Sequence, residues 1–197
     1  MDGSLEPHGP PTRLVLMTQE LELHWPPDLS EDDRHELVSL YDEVARHEAT
    51  LGYAGSLSND VGRSIVDADA DSLAKGHIYM LLARDAEGIA GSLIFEPYTS
   101  QSRKHTIYAK RAVIARRARG MILHRAFAEA LNKAVALGAE IVTCDVAADG
   151  PVELWKSLGF KQYGILPDYA RRHGRCVDGY FLYLRLASTR ESPTSDG

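Results

Sequence analysis

The spacing of apolar and polar residues predicts two helices in the first part of the chain. Ser30 precedes three consecutive acidic residues and then apolar residues at helical spacing, which predicts a helix from this N-cap to about Glu48. A more polar segment from about Asn59 to Lys75 is predicted as a second helix. The segment between them, which begins at Ala49 and contains two glycines, is predicted as a loop.

The clearest helical pattern lies between Met121 and Leu137. Its apolar residues form one stripe: Ile122, Leu123, Ala126, Phe127, Ala130, Leu131, Ala134 and Val135. Gly138 follows and is expected to end the helix, because glycine readily adopts the left-handed conformation of a helix C-terminus. A shorter helix is predicted from Gly150 to Ser157.

Apolar runs and alternating patterns predict strands between these helices. The predicted strands are Leu14–Leu23, His77–Arg84, Ile89–Tyr98, Thr106–Ala115, Glu140–Val146, Lys161–Leu166 and Gly179–Leu186. The segment from Pro167 to Asp178 is predicted as a loop. The hairpins and the later crossover helices together predict an α/β protein with a mixed (α+β) sheet of about six or seven strands, flanked on both faces by about four helices.

Composition limits the class of protein. The 197 residues are 44% hydrophobic, which is enough to bury the core of one domain, predicted at 12–186 between polar tails at 1–11 and 187–197. Two cysteines and no membrane-length apolar run predict a cytoplasmic protein. The net charge of −6 argues against a nucleic-acid partner, and the His and Cys spacing predicts no metal site.

One basic segment stands out in this acidic chain. Between Arg103 and Arg125 there are eight Lys and Arg residues and no Asp or Glu. The segment contains a predicted strand, a turn and the start of the clearest helix, and a helix N-terminus with free N–H groups favours anions. The charge pattern therefore indicates an anion-binding site, and a solvated basic face is the alternative.

Two motifs resemble the GNAT superfamily of acyl-CoA N-acyltransferases. The sequence Val113-Ile-Ala-Arg-Arg-Ala-Arg119-Gly120 is similar to the family's V-V-x-P-x-x-R-G-x-G-x-G/A pyrophosphate loop. The sequence Glu153-Leu-Trp-Lys-Ser-Leu-Gly-Phe160 is similar to its A-x-x-L-Y-x-x-L-G-F helix and turn. The later residues look like the branch that contains tabtoxin-resistance and related antibiotic acetyltransferases. The resemblance implies a GNAT-like fold and an acyl-CoA co-substrate, with no metal.

The resemblance also implies a donor site. In such proteins the strand before the loop separates from its neighbour, so that the backbone here around Val113 and Ile114 would bind the pantetheine amides. The pyrophosphate would lie against the loop, for which we expect Arg116, Arg117, Arg119, Gly120 and Met121 to be the binding residues.

The donor loop departs from the family pattern in its glycines. In the ungapped register Ile122 and His124 stand where the family has the two later glycines, and a shift of one residue places Ile122 at the final one. Glycine suits these positions because the backbone must approach an anion closely. The additional arginines can compensate through their bidentate contacts with phosphate. Alternatively, Ile122 packs in the core and leaves the path of the loop unaffected.

Several side chains are candidates for the chemistry. Trp155 replaces a family tyrosine that protonates the leaving thiolate, and an indole N–H cannot serve as that acid. Phenols that could substitute are Tyr163, Tyr180 and, as the expected catalytic residue, Tyr169. Asp145 is the expected base or amine-orienting carboxylate, and strand alternation directs the neighbouring Cys144 to the opposite face. The resemblance implies that Glu48 and Tyr53 line the acceptor site; the alternative is that they are ordinary loop residues.

Three functional hypotheses follow. The first is an N-acyltransferase that passes an acyl group, by default acetyl, from acyl-CoA to the amine of a small molecule. The second uses an acyl group on the phosphopantetheine of an acidic acyl or peptidyl carrier protein, whose charge would complement the basic segment. The third is a non-catalytic binding domain. Each is compatible with a monomer or a homodimer and involves no membrane.

Overall fold

The computed structural model describes residues 21–48, 51–53, 55–172 and 174–186. The described helices are α1 (Glu31–Glu48), α2 (Asn59–Ala74), α3 (Leu123–Ala136) and α4 (Val152–Ser157). The described strands are β1 (Glu22–His24), β2 (Tyr79–Asp85), β3 (Gly88–Pro97), β4 (Thr106–Ile114), β5 (Ile141–Ala147), β6 (Lys161–Arg172) and β7 (Arg175–Arg185). This order of helices and strands confirms the predicted order.

All seven described strands form one sheet in the order β1-β2-β3-β4-β5-β7-β6. Neighbouring strands are antiparallel except β4 and β5, which are parallel and are joined through α3. A parallel pair requires a crossover connection, and the crossover helix covers one face of the sheet. The predicted mixed sheet is therefore confirmed.

Alternation along the strands divides the core between two faces. On β2, Met80 and Leu82 face α1 and α2, whereas Leu81 between them lies in a second cluster with residues of α3 and α4. On β3, Ile94 belongs to the first cluster and Phe95 to the second. Successive side chains of a strand point to opposite faces, so one sheet serves both layers of helices.

The N-terminus of α1 is a capping box. The hydroxyl of Ser30 accepts the backbone N–H of Asp33 at 3.1 Å, and the carboxylate of Asp33 accepts the backbone N–H of Ser30 at 2.9 Å. This reciprocal pair satisfies two donors that a helix start leaves unpaired. The N-cap predicted at Ser30 is confirmed.

The prediction of a loop from Pro167 to Asp178 is wrong. Strand β6 continues to Arg172, and β7 begins at Arg175, so the two strands form a long hairpin. The register shifts between Leu166 and Ala170, where three residues of β6 lie opposite one residue of β7. Because β6 is the edge strand, the missing N–H of proline costs no ladder hydrogen bond there, and the chain remains extended.

Part of the sequence prediction lies outside the described residues. The first predicted strand is described only from residue 21 onward, where β1 pairs with β2 at the edge of the sheet. The tails at 1–11 and 187–197 are not described, and the domain limits stay a prediction. Within the described ranges, no helix is both long enough and apolar enough to span a membrane.

Truncation of a core leucine should destabilise the protein far more than truncation of an exposed one. Leu82 is 0% exposed in β2, whereas Leu166 is 48% exposed in β6. We expect Leu82→Ala to lower the free energy of unfolding by about 3 kcal/mol, because it removes buried methyl groups and leaves a cavity. Leu166→Ala, the matched control, should cost less than about 1 kcal/mol in urea denaturation. Equal losses would contradict the assignment of the core.

Candidate active site

The candidate site begins where β4 and β5 separate. The two strands pair at only three positions, Thr106–Tyr108 against Ile141–Thr143. Beyond Tyr108, β4 continues to pair with β3 as far as Ile114, and β5 continues to pair with β7 as far as Ala147. In the described part of the chain, β4 and β5 therefore diverge after three paired positions. This is the separation that the sequence resemblance implied.

A bulge in β4 accompanies the separation. The register with β3 shifts between Ser92 and Ile94, and Arg111 has a φ of 50°, which is unusual for a residue other than glycine. The guanidinium of Arg111 donates to the carboxylate of Asp69 in α2 at 3.1 Å. The hydroxyl of Ser92 donates to the carbonyl of Arg111 at 3.4 Å. These contacts fix the bulge from the α1 and α2 face.

The residues under the bulge form a buried polar cluster. Asp69 is only 5% exposed, and burial raises the pKa of its carboxyl, while the positive charge of Arg111 opposes this rise. The hydroxyl of Tyr41 lies 3.5 Å from that of Ser92, and burial raises the pKa of Tyr41 to about 12. The phenol therefore remains neutral at physiological pH, and Arg111 is the positive charge of the cluster.

Asp145 lies at the point where the two strands separate. Its neighbour Cys144 is buried in the core beneath α3 and α4, where burial raises the pKa of the thiol to about 12. Asp145 points to the other face, and its two carboxylate oxygens accept the hydroxyls of Tyr108 in β4 and Tyr169 in β6. Alternation had predicted the opposite orientations of Cys144 and Asp145, and the structure agrees.

Two local features bring Tyr169 to Asp145. The bulge of β6 turns the chain at Asp168, which has a φ of 55° and whose N–H is bound by the carboxylate of Asp178 at 3.2 Å. The ring of Tyr169 then lies directly over Gly179, where a Cβ atom would be 2.4 Å from the ring carbon Cγ. Only glycine leaves room for this ring, so Gly179 is required for the contact between Tyr169 and Asp145.

Both phenols are held in the protonated form. Burial, and then the hydrogen bond to Asp145, raise the pKa of Tyr169 to about 12. Burial and the same carboxylate raise the pKa of Tyr108 well above its usual range. A carboxylate has about four acceptor sites, so Asp145 can accept a proton or hydrogen bond from an amine while it holds both phenols.

The sequence prediction missed Tyr108. A signal was present, because Ile107 and Ala109 are apolar while Thr106, Tyr108 and Lys110 alternate with them. Such alternation places Tyr108 on the face opposite Ile107 and Ala109. That this face also carries Asp145 depends on the register of β4 with β5, which the sequence does not provide.

Three other candidates lie elsewhere in the structure. The ring of Trp155 packs edge-on against Phe160, with ring centroids 5.0 Å apart, so it contributes to the packing beneath α4. Tyr163 is 59% exposed and packs against Phe181 on the edge hairpin. Tyr180 lines a depression of about 310 Å³ beside α4. Of the three phenols considered from the sequence, Tyr169 is the one bonded to Asp145.

The connection from β4 to α3 has several features of an anion site. A short 3-10 turn at Arg116–Ala118 leads to Gly120, whose φ is 85° and around which an added Cβ would meet no atom within 4 Å. Helix α3 then begins without a side-chain cap, so its first N–H groups have no partner within the helix.

Ile122 is 1% exposed and packs with small side chains of β2 and β3. It therefore packs in the core, which is the alternative to a position against the anion. His124 is exposed in the first turn of α3.

The arginines of this connection are largely paired with acids. Arg117 donates to both carboxylate oxygens of Asp85 at 3.0 and 3.2 Å, and Arg119 forms an ion pair with Glu48. The backbone N–H of Arg116 donates to the carboxylate of Glu43 at 2.9 Å. Carboxylates from α1 and from the end of β2 therefore offset part of the positive charge of this connection.

The two residues expected at the acceptor site contact parts of the protein other than Asp145. Glu48, at the end of α1, contacts the donor loop through Arg119. Tyr53 packs against the core formed by α1 and α2. Their assignment to an acceptor site stays a prediction, as does the assignment of the donor-binding residues.

Comparison with solved structures identifies the fold. A GNAT superfamily phosphinothricin acetyltransferase from Sinorhizobium meliloti, in complex with AcCoA, matches with a TM-score of 0.68 and 20% identity over 91% of this chain and 95% of that chain. An N-acetyltransferase from Staphylococcus aureus Mu50 matches with a TM-score of 0.71 and 14% identity over 84% of this chain and 98% of that chain. The chain has the GNAT acyltransferase fold.

A third solved structure shows how broadly this fold is used. A ribosomal-protein-alanine N-acetyltransferase from Brucella melitensis matches with a TM-score of 0.67 and 18% identity over 84% of this chain and 99% of that chain. The names of two of these proteins denote different acceptors, phosphinothricin and a ribosomal-protein alanine, so the shared GNAT fold does not select an acceptor. No protein-family model and no curated protein sequence matches the chain.

A side chain at Gly179 should displace Tyr169. We expect Gly179→Ala to move the ring away from Asp145, so that the phenol becomes more exposed and its pKa falls from about 12 toward the ordinary value. Spectrophotometric titration of the tyrosines, with Tyr169→Phe to identify the signal, measures this shift. Gly164→Ala is the matched control, because its Cβ would lie 3.8 Å from the nearest atom. A titration curve identical to that of the wild type would contradict the contact.

The phenol of Tyr169 should also make stability depend on alkaline pH. Its pKa is about 12 in the folded protein and ordinarily 10.0, so folding favours the protonated form. The stabilisation is present in full below the ordinary pKa and is lost as the pH rises through the folded one. We expect the difference in free energy of unfolding between the wild type and Tyr169→Phe to fall across this range in urea denaturation. A constant difference would be the contrary result.

Proposed function

We propose that the protein is an N-acyltransferase that transfers an acyl group, by default acetyl, from acyl-CoA to the amine of a small molecule. The observation that carries the proposal is the Asp145 carboxylate, which lies where β4 and β5 separate and is held by two phenols. A shared fold supports it, since one of the similar structures is an acetyltransferase in complex with AcCoA.

Strand β4 is suited to hold the pantetheine arm of the donor. Beyond Tyr108 the edge of β4 that faces β5 has left the pairing, and it includes Val113 and Ile114. Backbone groups on such an edge can pair with the amides of an extended ligand, as in strand addition. The uncapped start of α3 and Gly120 suit the pyrophosphate, because backbone N–H groups can approach an anion there.

The acyl-CoA supplies an activated carbonyl and a thiolate leaving group, and the chain supplies the proton transfers. Asp145 accepts a proton from the amine, which frees the nitrogen lone pair to form the new C–N bond as the C–S bond breaks. Tyr169 donates its phenolic proton to the departing sulfur. Because Tyr169 and Asp145 are hydrogen-bonded, the proton collected by Asp145 restores the phenol and closes the cycle.

The carrier protein is not part of this proposal. The missing glycines of the loop were the reason to consider a carrier protein, and the positive charge of the segment from Arg103 to Arg125 was to complement its acidic surface. Four cations of that segment form ion pairs with carboxylates: Lys110, Arg111, Arg117 and Arg119. The charge complementarity expected with an acidic partner is correspondingly weaker.

Binding and turnover together test the proposal. Isothermal titration with acetyl-CoA should give a dissociation constant in the micromolar range, and release of free CoA thiol should depend on an added amine. Transfer from a loaded carrier protein without any binding of CoA would establish the second hypothesis instead. Absence of turnover with every thioester across a broad panel of amines would establish the non-catalytic domain.

Removal of the charge of Asp145 should affect turnover rather than donor binding. We expect Asp145→Asn to lower kcat by about 10²- to 10⁴-fold, the usual contribution of a general base, with little change in the KM for acetyl-CoA. Asp71→Asn, an exposed substitution of the same type on α2, is the control and should leave both constants unchanged. A kcat for Asp145→Asn equal to that of this control would remove Asp145 from the mechanism.

A further inference from the structure

Helix α1 contributes two carboxylates to the connection that should hold the donor's phosphates. Glu43 accepts the backbone N–H of Arg116 at 2.9 Å, and Glu48 pairs with the side chain of Arg119. The contacts span 73 residues of sequence in the first case, so they depend on the tertiary fold. Between them, the buried side chains of Val44 and Ala45 fix α1 against the sheet. The carboxylates are therefore held on a rigid helix beside the connection.

The positive charges of this connection are balanced by nearby carboxylates. The connection carries three guanidinium groups, those of Arg116, Arg117 and Arg119. Three carboxylates contact it directly, Glu43, Glu48 and Asp85, and that of Glu87 lies 3.7 Å from Arg117. Three positive charges thus face at least three negative ones. A diphosphate brought to this connection meets the repulsion of the carboxylates as well as the attraction of the arginines.

The two glutamates also compete directly for donor-binding groups. A backbone N–H carries one proton, so the amide of Arg116 donates to Glu43 or to a phosphate oxygen as its main partner. Glu48 acts through its charge, because it forms an ion pair with the guanidinium of Arg119. For a phosphate to use these donors in full, each carboxylate must rotate away into solvent and lose its partner. Both effects weaken the hold on phosphate and leave the pantetheine arm unaffected.

We propose that Glu43 and Glu48 are specificity-determining residues that lower the affinity for the diphosphate of the donor, so that recognition depends chiefly on the pantetheine arm. The inference rests on the proposed function, because it concerns the same donor site. It predicts that the enzyme discriminates only weakly between CoA and pantetheine lacking the nucleotide. It also predicts that removal of either carboxylate charge improves the binding of CoA.

Isothermal titration with two ligands tests the inference. The variants are Glu43→Gln, Glu48→Gln and the double variant, since glutamine keeps the shape and an acceptor oxygen but not the charge. The ligands are CoA and pantetheine, which share the arm and differ in the phosphates. We expect each single variant to lower the Kd for CoA by about threefold to tenfold, as expected for one partly exposed charge, and to leave the Kd for pantetheine unchanged.

Two further measurements separate this effect from a general change in the protein. Glu31→Gln removes the same charge from the opposite end of α1, where Glu31 pairs with Arg63, and should not change the Kd for CoA. The gain in the glutamine variants should diminish as salt is raised, because salt screens exposed charges. Thermal unfolding verifies that each variant is folded before titration.

The possible results lead to distinct conclusions. A lower Kd for CoA together with an unchanged Kd for pantetheine supports the inference. An unchanged or higher Kd for CoA in folded variants of a protein that binds both ligands overturns it, while the proposed function stands. If neither the wild type nor any variant binds CoA or pantetheine, the inference and the proposed function are both overturned.

Discussion

The separation of β4 from β5 is the constraint on which the rest of the site depends. Parallel pairing over three residues is enough to join the two halves of the sheet, and the divergence that follows leaves one edge of β4 accessible. The same divergence places Asp145 beyond the paired positions of β4 and β5. Its partner Tyr108 lies at the last paired position, so the hydrogen bond between them spans the start of the opening.

The divergence is maintained by a strained residue and a buried ion pair. A left-handed conformation at a residue such as Arg111 costs about 1 kcal/mol or more, and it persists only where neighbours determine it. Here the buried carboxylate of Asp69 binds the guanidinium, and Ser92 binds the carbonyl of the same residue. One oxygen of Asp69 has no hydrogen-bond partner among the described residues, so the cluster is incompletely satisfied. The positive φ of Arg111 and the unpaired oxygen of Asp69 both lower the stability of the folded protein, and the contacts around the bulge maintain it nevertheless.

The helices could be predicted because N-caps and apolar spacing are properties of short stretches of sequence. Ser30 with its acidic first turn fixed the start of α1, and the apolar stripe that includes Ala130 and Ala134 fixed the position of α3. The path of β6 could not be obtained in this way, because it depends on the contact of Tyr169 with Gly179 across the hairpin. The charge around the connection from β4 to α3 depends likewise on acids far away in sequence, which a count of cations within one segment does not include.

Tyr169 reaches Asp145 from the edge of the sheet, and this has an evolutionary consequence. The hairpin of β6 and β7 supplies the phenol through a bulge and one glycine, whereas Asp145 and Tyr108 belong to the central strands. Changes in the bulge can therefore exchange or withdraw this hydroxyl while the carboxylate and the central sheet stay in place. The hairpin is therefore a part of the fold in which substitutions can change the hydroxyl beside Asp145 without changing the central strands.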